Sequence, residues 1–137
     1  MAGELSGEAA IRPGNQVLAG VEDTLTGQRF FARNAPTAPE ELYPALSEEL
    51  EPYRQLIEAS PELERYGPPG AHAEINALNQ ALWARDPSGT LLTTADLADF
   101  DMVSVWLGKS GPQLMSRCPN CWFLTPNVNY LGPLVKP

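Results

Sequence analysis

The stretch GAHAEINALNQAL, residues 70–82, decides how this chain is organised, because it joins a helical pattern to the one histidine of the sequence. Ile75, Leu78 and Leu82 recur at helical spacing, and the alanines between them permit close packing. The pattern predicts a helix over residues 71–84, stopped before by GPPG and after by DPSG. His72 and Glu74 fall in its first turn. Since side chains at i and i+2 diverge on a continuing helix, these two can converge only at this end.

Strands are predicted on both sides of this helix. Residues 16–23 (QVLAGVED) and 28–33 (QRFFAR) form two strands of a hairpin, with Gly27 supplying a positive φ in the turn. Residues 101–107 (DMVSVWL) predict a third strand, followed by a loop at 108–111. A short helix is expected over residues 118–125, and the remaining tail supplies at most one short strand.

The segment between the hairpin and the central helix is rich in proline and glutamate. Because proline suits only the first turn of a helix, this segment predicts short helices over 44–50 and 52–59, and a turn at 61–65 capped by Ser60. Another helical turn is expected near Ala95. The order hairpin, helices, helix, strand, helix predicts an α/β layer arrangement.

Composition limits the class of protein. The chain has 137 residues, 43% hydrophobic and 19% charged, so we expect one domain over 1–137, with 1–15 a flexible leader. It has no apolar run of about 20 residues and no signal-peptide pattern at its start, so no membrane partner is expected. A net charge of −8 argues against long, non-specific contacts with duplex DNA.

The two cysteines lie together in Cys118-Pro119-Asn120-Cys121. With His72 they make three donors of the kind that a catalytic zinc uses, since such a site leaves its fourth position to water. Glu74 is then placed to carry protons beside that water. Taken alone, each motif has other interpretations: a structural histidine, a redox cysteine pair, or half of a structural zinc site.

The combination resembles the zinc-dependent cytidine deaminase superfamily, whose signature is H-x-E followed by P-C-x-x-C. Here HAE occupies 72–74 and CPNC occupies 118–121, and Arg117 stands where the signature has its first proline. The segments AHAEINALNQAL and RCPNCWFLTPNV are most similar to the deaminase domains of bacterial polymorphic toxins, in particular the YwqJ-like branch. The resemblance implies a three-layer fold with a mixed sheet, opened by a β-hairpin and covered by helices on both faces.

The resemblance also implies roles for individual residues. His72, Cys118 and Cys121 hold Zn²⁺, and Glu74 takes a proton from water and delivers it to the base. The backbone around Ala73 and the Ser116–Arg117 loop contact the base. Asn34, just after the second strand, stands where a sugar- or base-contacting asparagine is expected, although an asparagine that merely ends a strand fits as well.

Other residues are predicted to have ordinary roles. Trp106 and Trp122 are expected in the core rather than stacked on a base. Basic residues that could form a small phosphate patch are expected to be mostly solvated surface charge: Arg29, Arg33, Lys109 and Arg117.

The predicted function is zinc-dependent hydrolytic deamination of a nucleobase, cytosine to uracil in nucleic acid, by the toxin domain of an interbacterial effector. Single-stranded DNA is the favoured partner, together with an immunity protein that neutralises the toxin. The effector would be secreted or translocated and act in the cytoplasm of the recipient. Two alternatives stay open: a deaminase of free nucleosides or nucleotides, and a non-catalytic scaffold with a zinc or redox C-x-x-C site.

Overall fold

The computed structural model of the chain describes residues 17–35, 39–62, 72–108, 111–114 and 119–132. Within these ranges every helix is too short or too polar to cross a lipid bilayer. The predicted leader, the GPPG stop and the residues around the first cysteine of CPNC lie outside the described residues.

A mixed sheet of five strands forms the centre of the molecule. Its strands are β1 (Val17–Asp23), β2 (Arg29–Arg33), β3 (Phe100–Gly108), β4 (Gly111–Leu114) and β5 (Asn129–Tyr130). The strand order is β2-β1-β3-β4, all antiparallel, and β5 pairs with the beginning of β3 in parallel. The predicted β1–β2 hairpin is confirmed, and Gly27 has the expected positive φ of 76°.

The first described helix, α1 (Pro44–Ala59), corrects the prediction of two short helices. Pro52 lies inside it, at a cost of about 3 kcal/mol for an interior proline. The helix continues because Leu46, Leu50 and Tyr53 form one buried stripe across the proline, and their burial offsets that cost. Residues 61–62 begin the predicted turn after it, and the rest of that turn is outside the described residues.

The second helix, α2 (Ala73–Arg85), confirms the prediction made from the GAHAEINALNQAL stretch. His72 is its N-cap residue, and Asp86 ends it. A 3₁₀ helix (Thr94–Asp99) confirms the helical turn expected near Ala95 and leads into β3. The third α-helix, α3 (Pro119–Leu124), lies within the region predicted to be helical.

The helices and the sheet enclose one main core. Alternate residues of β1 and β3, such as Ala19 and Met102, face a cluster that contains the buried side chains of α1, α2 and α3. The other face of the sheet has a smaller cluster of Leu18, Val103 and Val105, with Phe31 against it. The predicted α/β fold with a mixed sheet opened by a β-hairpin is therefore confirmed. The described helices lie on one face, so a helical layer on the second face stays a prediction.

Two predictions near the end of β3 need correction. The loop was predicted over 108–111, but Gly108 belongs to β3 and Gly111 begins β4, and residues 109–110 lie outside the described residues. No alternation of apolar and polar residues marks Gly-Pro-Gln-Leu as a strand, so sequence patterning could not find β4. Trp106, expected in the core, is 40% exposed because it lies near the end of β3, where the sheet meets solvent.

Candidate metal and active site

The first turn of α2 positions the histidine and the glutamate. The backbone carbonyl of His72 accepts a hydrogen bond from the N–H of Asn76 at 3.1 Å, so the helix begins at this residue. Ala73 is fully buried, and a larger side chain there would push the turn away from its neighbours. Glu74 is only 4% exposed, which is unusual for a carboxylate and calls for polar partners.

Cys121 of α3 meets both residues. Its Sγ lies 3.5 Å from Nδ1 of His72, and its thiol donates to Oε2 of Glu74 at 3.1 Å. The donor atoms of the three residues all lie within 4.8 Å of one another. Cys121 has no exposed surface, and His72 is half-buried, so the cluster is open on the histidine side.

Thr125 holds the backbone carbonyl of Cys121 in place. Its backbone N–H donates to the carbonyl of Cys121 at 3.0 Å, and its Oγ1 donates to the same oxygen at 2.5 Å. Thr125 is itself fully buried. Since α3 is only six residues long, this double contact defines where the short helix ends. Thr125 belongs to neither motif, so its sequence position gave no signal of this contact.

The donor set fits a zinc ion. Imidazole nitrogen and thiolate sulfur are the ligands that zinc prefers in proteins, and cysteine binds the metal as the deprotonated thiolate. His72 and Cys121 would hold the ion, with Cys118 as the third predicted ligand. Cys118 lies outside the described residues, as do Ser116 and Arg117. Glu74 stands beside these donors, where the proposed proton carrier belongs.

Asn34 lies at the same end of the sheet as this cluster. Its Oδ1 accepts a hydrogen bond of 3.4 Å from the backbone N–H of Val17, and its side chain is exposed. Asn76, one turn after His72, donates from Nδ2 to the carbonyl of Arg33 at 3.0 Å. This contact ties the first turn of α2 to the end of β2, one residue before Asn34. Sequence analysis missed Asn76, whose spacing of four from His72 places both on one helix face.

Two cavities lie near the central helix. One, of about 560 Å³, borders the site through Asn76 and is also lined by Ala32, Arg33, Ala35, Pro39, Glu40, Asn79 and Gln80. The larger, of about 790 Å³, lies between α1 and Trp83 and includes none of the predicted site residues. The smaller cavity is thus bounded by amide side chains of α2 and by the end of β2.

Comparison with known proteins places this geometry in a family. The family model for YwqJ-like deaminases matches residues 10–130. The chain belongs to the YwqJ-like deaminase family. It is also 31% identical over 130 residues to Toxin YwqJ of Bacillus subtilis (strain 168), an alignment that covers 87% of this chain and 19% of that protein. The chain thus spans about a fifth of the length of this relative. No solved structure matches it.

Membership of the YwqJ-like deaminase family confirms the resemblance found in the sequence and makes the chain a deaminase. His72, Glu74 and Cys121 of this YwqJ-like deaminase converge from positions that the H-x-E and C-x-x-C motifs singled out.

Proposed function

We propose that this chain is a zinc-dependent hydrolytic deaminase that converts cytosine in nucleic acid to uracil. The observation that supports the proposal best is the convergence of His72, Glu74 and Cys121 across 49 residues of sequence. A buried glutamate touching a thiol has no evident structural purpose, whereas a glutamate beside a metal-ligating cysteine is the arrangement that hydrolytic deamination requires.

The chain's own residues divide the chemistry between them. His72, Cys118 and Cys121 hold zinc, which when bound supplies a Lewis acid that makes water reactive near neutral pH. Glu74 accepts a proton from that water and delivers it to the ring nitrogen of cytosine as oxygen adds to C4. It then passes a proton to the amino group, so that ammonia leaves and uracil remains. Water is consumed and ammonia is released, and no oxidant or reductant is needed.

The substrate side is proposed to include Asn34, the backbone of Ala73, and the Ser116–Arg117 loop. The exposed amide of Asn34, at the sheet end next to α2, supports a contact with the sugar or the base. Of the basic residues, Arg29 is paired with Glu22 at 2.6 Å and is therefore a weaker phosphate contact than an unpaired arginine would be.

We propose a toxin role for the whole protein because its relative is named a toxin. An effector that deaminates nucleic acid must be harmless to the cell that makes it, so an immunity protein is the expected partner. The site of action would be the cytoplasm of a recipient bacterium, reached by secretion or translocation.

Free nucleosides are the second candidate substrate. The formal charge of −8 favours a small substrate over a long phosphate chain, because every phosphate contact must overcome this overall repulsion. Adenine in place of cytosine would need the same residues, with attack at C6. The scaffold alternative keeps the cysteines for a structural metal or a disulfide and leaves Glu74 without a role.

The deciding experiment incubates the protein with cytidine, single-stranded DNA, duplex DNA and RNA and measures uracil. We expect uracil in single-stranded DNA and none with Glu74→Ala. Uracil from free cytidine alone would replace the nucleic-acid proposal with the nucleoside one, and no product from any substrate would remove the cytosine deaminase. The metal content of the same preparations is the matched control, with about one zinc per chain expected for wild type and Glu74→Ala. We expect much less zinc for Cys121→Ser.

Growth of bacteria that express the chain tests the toxin role separately. Wild type should arrest growth, and Glu74→Ala, made in equal amounts, should not. Equal growth of the two strains would argue against a toxin while leaving the uracil assay to judge the chemistry.

A further inference from the structure

Trp106 has an exposed indole at the end of the sheet near the site, and the proposed zinc chemistry gives this side chain no role. A tryptophan loses much of the benefit of its large apolar surface when it is left in water, yet 40% of this one is exposed. Of the other two tryptophans, Trp83 donates from its indole N–H to the carbonyl of Glu41 at 3.0 Å, and Trp122 is half-buried on α3. Trp106 therefore invites a functional explanation.

The strand geometry places Trp106 on the face of the sheet that carries the site. Side chains alternate along a strand, and Phe100 and Met102 belong to the core cluster that contains α2 and α3. Ser104, two residues further along, meets the hydroxyl of Tyr130 at 2.9 Å inside that layer. Trp106 continues this row and is the first member of it to emerge from the core.

The register places Trp106 at the same end of the sheet as Asn34. Trp106 pairs with Val17 of β1, and the backbone N–H of Val17 donates to Oδ1 of Asn34. The next residue of β1, Leu18, pairs with Arg33 of β2. The carbonyl of Arg33 accepts a hydrogen bond from the side chain of Asn76, in the first turn of α2. Backbone pairing and two hydrogen bonds thus connect Trp106 to the turn that carries His72 and Glu74.

We propose that Trp106 is a substrate-contacting residue that stacks on a base of the nucleic acid or nucleoside. This inference rests on the proposed function and adds a residue to the site that the two motifs do not contain. Stacking on an aromatic ring favours any flat heterocycle, and it requires a base that is free of its duplex neighbours. The substrate class that fits is therefore a single-stranded or free nucleotide rather than an intact duplex.

Kinetics of Trp106 variants test the proposal against a merely structural role. We expect Trp106→Ala to raise KM about tenfold, the range for loss of one stacked base, with a smaller change in kcat. Trp106→Phe should stay within about threefold of wild type, because it keeps a ring, whereas Trp106→Leu keeps only apolar area and should resemble alanine. Leu114→Ala is the matched control, since Leu114 is 49% exposed at the same sheet end and pairs with Val105 of the other face.

A binding measurement separates this inference from the proposed chemistry. In a zinc-loaded Glu74→Gln protein, cytidine or a short oligodeoxycytidylate should quench tryptophan fluorescence. Adding Trp106→Phe should remove most of that quench, with affinity retained in a competition assay. Unchanged KM in Trp106→Ala, or a quench of undiminished size in Trp106→Phe, would overturn the role of Trp106 and leave the deaminase proposal intact. If wild type deaminates none of the substrates, the proposed function fails, and the quench alone then judges whether Trp106 contacts a base.

Discussion

The two ends of α2 hold opposite kinds of polar chemistry. At its N-terminal end, Glu74, His72 and a thiol converge on one point, and each is a group that could bind a metal or exchange a proton. At its C-terminal end, Arg85 and Asp86 are fully matched by charged and hydrogen-bonding partners. If the proposed function holds, one helix serves two purposes: its beginning supplies reactive groups and its end supplies stability.

The C-terminal end is a compensated ion cluster. Arg85 donates from Nε to Asp23 at 2.8 Å, forms a second hydrogen bond to the same carboxylate, and donates from Nη1 to Asp99 at 3.0 Å. Its guanidinium lies 4.3 Å from the ring centre of Phe100. The hydrogen bonds from Arg85 lower the pKa of Asp23, and those same bonds raise the pKa of Arg85.

Asp86 is the second charged residue at the C-terminal end of α2. It accepts from the hydroxyls of Tyr43 and Ser88, both at 2.5 Å, and from the backbone N–H groups of Thr90 and Leu91 at 2.9 and 2.8 Å. These donors, the Ser88 and Tyr43 hydroxyls foremost, hold the pKa of Asp86 well below its usual range. The pKa of Tyr43 is raised, mainly by burial and then by its bond to Asp86. The loop after α2 is therefore organised around one carboxylate.

Replacing the reactive carboxylate should give the largest effect of all. We expect Glu74→Gln to lower kcat by about 10²–10⁴-fold, the usual contribution of a general acid–base group, because the amide cannot accept the proton. The melting temperature and the zinc content should change little. Uracil formation, differential scanning calorimetry and metal analysis measure the three quantities.

The matched control is Glu58→Gln, at an exposed position of α1. It should leave all three quantities at their wild-type values. Retained turnover in Glu74→Gln would remove Glu74 from its role, and a large loss of stability would mean that the N-terminal end is structural after all.

Removing one partner of the ion cluster should lower stability and leave turnover nearly unchanged, the opposite of the result expected for Glu74→Gln. We expect Asp23→Asn to cost about 3 kcal/mol of unfolding free energy, since it leaves the mostly buried Arg85 without its main counter-charge. Turnover per folded molecule should stay near wild type. Urea unfolding followed by the uracil assay gives both values.

Glu22→Gln is the control for this change, because Glu22 is the neighbour of Asp23 on β1 and pairs with Arg29 at the surface. An exposed pair of this kind contributes about 0–1 kcal/mol, so the control should be nearly neutral. Equal losses in the two variants would contradict the distinction between a buried cluster and a surface pair.

Lowering the pH should reduce the free energy of unfolding that Asp23 contributes at the C-terminal end of α2. Because the pKa of folded Asp23 lies below its usual 3.8, its contribution to stability is fully present well above that value and is lost as the pH falls toward the folded pKa. We expect wild type to lose more unfolding free energy than Asp23→Asn between pH 6 and pH 3. Parallel curves for the two proteins would show that other carboxylates control the acid response.

Of the two ends of α2, only the N-terminal one could be predicted from the sequence. The hairpin and α2 were predictable because periodicity is a local property. The meeting of His72 with Cys121 was predictable because the two motifs together resemble one family signature. The ion cluster joins Asp23, Arg85 and Asp99, which no spacing rule connects until the sheet register is known. Pro52 was misjudged for the same reason, since the burial that keeps α1 continuous across it comes from tertiary contacts.

The last comparison concerns two glycines, one in the β1–β2 turn and one in the loop after α2. Gly27 and Gly89 both have positive φ, 76° and 73°, so alanine at either position costs about 1–2 kcal/mol of backbone strain. A Cβ on Gly27 meets nothing within 4 Å, whereas a Cβ on Gly89 would lie 2.8 Å from the ring of Trp83. We therefore expect Gly89→Ala to be the more destabilising by about 1–3 kcal/mol, the range for overpacking, in urea unfolding.

A second variant identifies the cause of that difference. Trp83 packs edge-on against Tyr43 at 5.1 Å between ring centres, and Tyr43 in turn bonds to Asp86, so the clash acts on the whole loop after α2. Trp83→Phe removes the two ring atoms that Gly89→Ala would strike. In the Trp83→Phe background, Gly89→Ala should therefore cost no more than Gly27→Ala. If the extra cost persists, the rigidity of this end comes from the backbone around Asp86 and not from the packing of Trp83.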